Sequence, residues 1–263
     1  MKHTPLIRIE SVSKYYGAEP GGVWALRDVS LDVYAGEFLS IIGPSGCGKS
    51  TLLKMMGDLL EPSAGRILIN GQTPAAARRA RAYGIVFQAP TLMEWRTVVR
   101  NIELPLEIMG LSRAERQARA YALLDLIRLR DFAARYPTEL SAGMQMQVAI
   151  ARALACQPRI LLMDEPFGAL DEITRERLGR ELLEVWARTA VTIVFVTHSV
   201  PEAVRLSDRV VVMTPRPGRI QQSITIDLPR PRTAATRDLP RYWELLRQVR
   251  NALGLNESQD GVR

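Results

Sequence analysis

The stretch IIGPSGCGKST, residues 41–51, decides how the chain is read. An apolar run leads into it and a helical pattern opens at Lys49. Residues 43–50 fit G-x-x-x-x-G-K-[ST] in the strand-then-helix setting that the pattern needs. Gly43, Gly46 and Gly48 let the backbone curl so that successive N–H groups converge on phosphate oxygens. Pro44, Ser45 and Cys47 fill the loop between them, and Thr51 follows in the first helical turn. The helix start adds partial positive charge. Lys49 brings a point charge to the outer phosphates, and the Ser50 hydroxyl is a ligand for Mg²⁺.

Working outward, RILLMDEP (159–166) is an apolar strand ending in Asp164 and Glu165. Carboxylates at the carboxyl end of such a strand face the crevice where open α/β sheets bind ligands. Asp164 is expected to hold Mg²⁺ and Glu165 to orient and polarise an attacking water, since phosphoryl transfer needs a positioned nucleophile and charge neutralisation. VTIVFVTHS (191–199) is a second buried strand that ends on a polar group, His198. That histidine reads either as a hydrogen-bonded structural residue or as a donor to a terminal phosphate. ELSAGMQMQ (139–147) reads as the start of a helix at Ser141, with nothing nearby in the chain for that helix end to hold.

Val- and Ile-rich runs predict strands at about 6–12, 29–34, 37–42, 66–70, 84–87, 160–164, 191–196 and 209–213. Helical patterns open at Lys49, at Ser112 with the capping box SRAE, at Ser141 and near Asp171. Their alternation from 141 onward implies a parallel sheet with helices around it. Residues from about 90 to 157 carry no convincing strand and read as a helical insert. After Pro215 come a strand-like RIQQSITID (219–227) and an amphipathic helix with Tyr242, Leu245, Leu246, Val249 and Leu253 on one face. That helix is expected on the core or on a dimer partner.

The chain has 263 residues and a net charge of +7, but its Arg residues are scattered. The one tight cluster, RRAR (78–81), reads as a solvated face, and no nucleic-acid partner is expected. Two cysteines exclude a disulfide-rich secreted scaffold and fit a reducing compartment. MKHTPLIRIE lacks an apolar run after its Lys, so no signal peptide is expected. No run of about 18 apolar residues is present to span a bilayer.

Taken together, GPSGCGKST, VFQ, LSAGM, RILLMDEP, GALD and THS appear in an order that resembles the ATP-binding subunit of an ATP-binding cassette (ABC) transporter. The resemblance runs to about residue 226. It implies an α/β fold: a P-loop NTPase core of ABC type, with an antiparallel β subdomain and a helical subdomain insert. The domains implied are 1–226, with the helical part about 90–157, and a tail over 227–263. It implies ATP and Mg²⁺ as cofactors. It places Tyr16, ahead of Tyr15, on the adenine ring; Gln88 on Mg²⁺ and the water; and Asp171 across a subunit interface. LSAGM (140–144) is similar to the family signature, usually LSGGQ. Ser141, Ala142 and Gly143 are thereby expected to bind the γ-phosphate held by the loop of a second copy, in a head-to-tail ATP sandwich. Ala142 stands where the first Gly is usual, which predicts weaker or slower closure, and Met144 where Gln is common.

LMEWRTVVRNIELPLE (92–107) and VMTPRPGRI (212–220) are similar to subunits of nitrate, sulfonate and taurine importers, which usually read Pro-Trp where this chain has Glu94-Trp95. Related systems carry vitamin precursors. The implied activity is Mg-dependent ATP hydrolysis powering import, with transmembrane permease subunits and a separate substrate-binding protein as partners. The implied location is peripheral, on the cytoplasmic face of the membrane. Around Arg96 to Met109, the apolar residues Leu92, Met93, Trp95, Val98, Leu104 and Leu106 read as core or as permease contact. Non-transport ATPases acting on nucleic acid or ribosomes, exporters and lipid traffickers are the alternatives. Cys47, at a helix start, is expected either as a small filler or as a reactive thiol whose alkylation blocks nucleotide binding.

Overall fold

The computed structural model describes residues 4–17 and 21–255. It divides into two compact units, one formed by the segments up to Arg78 and from Val194 onward, the other by Arg79–Ile193.

The first unit opens with β1 (Ile7–Tyr16) and β2 (Val23–Val33), followed by β3 (Phe38–Ile42), α1 (Lys49–Met56), β4 (Ala64–Ile69) and α2 (Pro74–Arg79). Strand β1 pairs antiparallel with both β2 and β4, with Ile7 opposite Val33 on one side and Ile69 on the other. Ile7, Ile9, Val29, Leu31, Val33, Ile67 and Ile69 are buried, every second residue along each strand, so one face of this sheet is core. All five residues of β3 are buried. A strand covered on both faces reads as a continuous apolar run, which is why FLSII shows no alternation. Its one hydroxyl, Ser40, is satisfied by Ser207.

The second unit contains β5 (Tyr83–Val86), α3 (Val98–Ile108), α4 (Arg113–Leu126), α5 (Ala142–Leu154), β6 (Ile160–Asp164) and α6 (Glu172–Thr189). Strands β5 and β6 are parallel, with Val86 beside Met163. The helices α3, α4 and α5 share a core built from Val98, Ile102, Leu106, Ala120, Leu124, Val148 and Ala151. Val98 and Leu106 are therefore core, whereas Trp95 is 75% exposed. The capping box at α4 is present: Glu115 N–H donates to Ser112 Oγ at 3.3 Å and Ser112 N–H donates to Glu115 Oε2 at 2.9 Å.

Strand β7 (Thr192–Thr197) returns the chain to the first unit, which ends with α7 (Val200–Leu206), β8 (Arg209–Met213), β9 (Ile220–Thr225) and α8 (Pro240–Ala252). Strand β8 runs parallel to β3 and antiparallel to β9. Tyr242, Leu245, Leu246 and Val249 of α8 are buried among Val204 of α7, Val210 and Val212 of β8 and Ile224 of β9, with Leu253 partly buried beside them. The apolar face of α8 is thus filled by its own chain. Arg232 pins the approach to α8: buried, it donates to the carbonyls of Val204, Arg205 and Ser207 at the end of α7 and to Ile226.

Candidate functional site

The expected site residues fall into two groups. The first unit carries Tyr16, residues 43–51 and His198; the second carries Gln88, Ser141, Ala142, Gly143, Asp164, Glu165 and Asp171.

In the first unit the loop leaves β3 and closes on α1. Gly46 and Gly48 take φ of 74° and 106°, in the left-handed region that side chains disfavour. Pro44, Ser45 and Gly46 are exposed, and Ser50 and Thr51 are half-buried. The Lys49 ammonium is buried and donates to Gly43 O at 2.8 Å and to Pro44 O at 3.1 Å, so the cation is held over the centre of the loop. The loop has a packed underside. A Cβ on Gly43 would stand 2.8 Å from Cys47 Sγ, one on Gly48 2.6 Å from Leu26 Cδ2, and one on Gly218 1.9 Å from Cys47 O. Gly218 lies far along the chain, inside VMTPRPGRI, and no contact with the phosphate loop was expected of it.

Of the two readings of Cys47, this packing favours the small filler. Its side chain is fully buried, with Sγ against the Cα of Gly43. A helix start favours the thiolate electrostatically, but an alkylating reagent has no path to this sulfur in the folded chain.

Tyr15 and Tyr16 end β1 differently. The Tyr15 ring packs against Trp24 with centroids 5.0 Å apart, while Tyr16 is 44% exposed. The Lys14 ammonium lies over one face of the Tyr16 ring, 5.3 Å from its centroid, so stacking on a planar ligand would use the other face. His198 is exposed just past β7. Its turn is tied by Thr197, whose hydroxyl bonds the Glu202 carboxylate and accepts from Ser199 N–H at 3.0 Å.

In the second unit Asp164 ends β6 and is half-buried, as is Glu165. Glu165 takes φ of 45°, a left-handed conformation for a residue with a side chain. Such strain is of order 1–3 kcal/mol and persists only where the surroundings over-determine it. Here Gly168 N–H donates to Glu165 O at 3.1 Å. A Cβ on Gly168 would stand 3.6 Å from Gln88 Nε2 and 3.7 Å from Glu165 Oε2, so the amide and the carboxylate share the space above this glycine.

Ser141 and Asp171 are both helix N-caps. Ser141 Oγ accepts from Met144 N–H at 3.3 Å at the start of α5, and Asp171 Oδ1 accepts from Thr174 N–H at 2.9 Å at the start of α6. The Thr174 backbone N–H is also what holds the Asp171 carboxyl below its usual range. The two helix starts are in contact, because a Cβ on Gly143 would meet Thr174 Cγ2 at 2.8 Å. Ser141 and Ala142 are exposed and Gly143 is buried.

The donor set suits a nucleotide with Mg²⁺. Mg²⁺ takes oxygen ligands, keeps several waters, and is held by one or two carboxylates plus phosphates rather than by a protein cage. Ser50 in the first unit, and Gln88 and Asp164 in the second, are oxygen donors of that kind.

Comparison with known proteins identifies the family. The ABC transporter family model matches residues 26–168. The chain is 43% identical to the taurine import ATP-binding protein of Rhizobium johnstonii, over 96% of this chain and 98% of that one. It is 39% identical to the nitrate import ATP-binding protein of Synechocystis sp., over 97% of each. Among solved structures, a dimeric ATP-binding cassette in a post-hydrolysis state, bound to ADP and Pi, superposes with a TM-score of 0.73 at 34% identity, over 84% of this chain and 98% of that one. With its phosphate loop, its left-handed Glu165 and its two capped helix starts, the chain belongs to the ABC transporter family, as one of its ATP-binding subunits.

Proposed function

We propose that the chain binds and hydrolyses ATP to power an importer of a small anionic or zwitterionic solute, of the nitrate, sulfonate and taurine class. The observation that carries this reading is full-length similarity to both a taurine and a nitrate import subunit. In this reading coupling to transport runs through separate permease subunits on which the chain docks peripherally, at the cytoplasmic face; among the described residues no helix is long and apolar enough to cross a membrane. A separate binding protein delivers the solute.

The residues divide the work. Tyr16 stacks on the adenine ring. The N–H groups of 43–51 and the Lys49 ammonium take the phosphates. Ser50, Gln88 and Asp164 would hold Mg²⁺, which would neutralise charge on the phosphates. Glu165 accepts a proton from the attacking water, Gln88 orients that water, and His198 donates to the γ-phosphate. Ser141 and Gly143, with Asp171 beside them, serve the nucleotide of a second copy, so the closed dimer is favoured while the γ-phosphate remains.

The test is Glu165→Gln, which keeps size and hydrogen bonding but cannot take the proton. Turnover should fall by about 10²–10⁴, while Mg-ATP drives the variant into a dimer that outlasts size-exclusion chromatography. The wild-type chain, reconstituted with its permease and binding protein in vesicles, should take up taurine or nitrate only with ATP inside. Near-normal turnover by the variant removes Glu165 from its role. ATP hydrolysis that responds to nucleic acid and not to permease removes the transport reading.

A further inference from the structure

The segment between Gln88 and α3 carries no regular structure, yet it is held at both ends. Arg152, near the end of α5, donates from Nη1 to Thr91 O at 2.9 Å and from Nη2 to Pro90 O at 2.9 Å and Thr91 Oγ1 at 3.0 Å. From α3, the buried Asn101 accepts from Met93 N–H at 2.8 Å and donates to the carbonyls of Met93, Arg96 and Thr97. Thr91 itself is left-handed, with φ of 49°. A β-branched residue stays there only when its surroundings hold it. The helix reaches the segment because Gly84 of β5 lets the α5 backbone close in; a Cβ there would stand 2.4 Å from Ala153 O. Arg152 is one residue away.

Three acceptors on two adjacent residues, in a fan that a planar guanidinium matches, is more than a surface arginine needs. Burial disfavours the charge on Arg152, and these bonds are what its placement returns. The other end of α5 is capped by Ser141. One rigid helix therefore links the segment after Gln88 to the residue assigned to the second nucleotide.

We propose that Arg152 is a positioning residue for hydrolysis: its clamp on Pro90 and Thr91 makes Gln88, the exposed Trp95 and the helix that begins at Ser141 move as one body. This rests on the function proposed above. Loss of the clamp leaves nucleotide binding at residues 43–51 untouched and lets Gln88 wander from the place where it meets the attacking water.

The experiment compares Arg152→Met, which keeps the apolar stem, and Arg152→Lys, which keeps charge without the planar fork, with the wild-type chain. In both, kcat for ATP should fall by about tenfold or more, as displacement of a positioned group does, with KM within about twofold. Amide hydrogen exchange over residues 89–97 should accelerate, most in the Met variant, while the rest of the second unit exchanges as before. Unchanged exchange over 89–97 in Arg152→Met overturns the clamp. Accelerated exchange with wild-type kcat overturns its role in hydrolysis, and a kcat loss that only tracks the unfolded fraction does the same. A wild-type chain that hydrolyses no ATP removes the proposed function instead, and the exchange data still report on the clamp.

Discussion

Gly218→Ala tests the seat of the phosphate loop more sharply than any change within the loop. Gly218 is not among the positive-φ residues, so alanine suffers no backbone strain there. The cost comes from contact alone. The new Cβ would stand 1.9 Å from Cys47 O, against a closest real approach of 3.0 Å, so the loop or its support must retreat by about an ångström. Side-chain rotation cannot relieve a clash between a Cβ and a backbone carbonyl. Nor can Gly218 yield freely, since its N–H donates to Ala25 O at 2.9 Å and its carbonyl accepts from Arg27 N–H at 3.0 Å. The same strand supports Gly48, where a Cβ would meet Leu26 Cδ2 at 2.6 Å and Ala25 O at 3.0 Å. Overpacking of this kind costs about 1–3 kcal/mol, a fall in Tm of roughly 2–12 °C at this chain size. A shift of about 1 Å in a positioned phosphate cradle costs about 10²-fold in turnover. The assays are calorimetric titration with a non-hydrolysable ATP analogue, steady-state ATPase measurement and a melting curve. Gly71→Ala is the control, because its φ of 74° imposes strain in open space, so it should lower Tm and leave nucleotide affinity alone. Wild-type affinity and turnover in Gly218→Ala would refute the claim that Gly218 seats the loop.

Iodoacetamide should leave Cys47 unmodified in the native chain and label it only after denaturation, as peptide mapping would show; rapid native labelling would contradict its burial. His198→Ala should lower kcat by about 10²-fold with KM little changed, and a wild-type rate would make it an ordinary exposed histidine. The Asp171 carboxyl is held below its ordinary 3.8 by the Thr174 N–H, so its stabilising contribution is complete above that pH and is lost as pH falls through the lower folded value. Asp171→Asn keeps a cap that does not titrate, so acid unfolding followed by circular dichroism should lose part of its pH dependence at the acid end.

What could be read from the sequence was local. The phosphate loop, the acidic end of β6 and the cap at Ser141 each depend on neighbours within a few residues. Strand ends were less legible for a physical reason. Strand β1 runs on to Tyr16 and β2 starts at Val23, beyond the expected limits, because left-handed Ser11 and Asp28 shift the register and break the alternation of apolar residues. Helix α7 has seven residues, too few to display a 3.6-residue period. The two readings of Cys47 stayed open because charge at a helix start can be read from spacing, whereas the burial of its thiol against Gly43 belongs to packing. Arg152 gave no signal at all: an arginine late in a helix looks solvent-bound until the segment it grips is in place.

The departure at Ala142 follows from the same kind of space. Two positions of the signature are ordinarily glycine in the resemblance, yet they are not equivalent in this fold. Ala142 is the first residue of α5 and is exposed to solvent. Gly143 is buried, and a Cβ there meets Thr174 Cγ2 at 2.8 Å and Arg177 Nη2 at 3.3 Å. Thr174 is β-branched and lies in the first turn of α6, so its methyl has little freedom to turn away. Alanine at 143 must therefore part the two helix starts that carry Ser141 and Asp171. Gly143→Ala should cost about 1–3 kcal/mol by overpacking and abolish the ATP-driven dimer. Thr174→Ser, which removes the obstructing methyl, should restore much of both losses. Ala142→Gly should leave stability within about 1 kcal/mol, the ordinary helix penalty for glycine, and speed closure if, as proposed, the first signature position approaches the partner's nucleotide. If Ala142→Gly leaves ATPase activity unchanged, the first signature position does not approach the second nucleotide. If Gly143→Ala behaves as wild type, the contact between the helix starts is not what positions them.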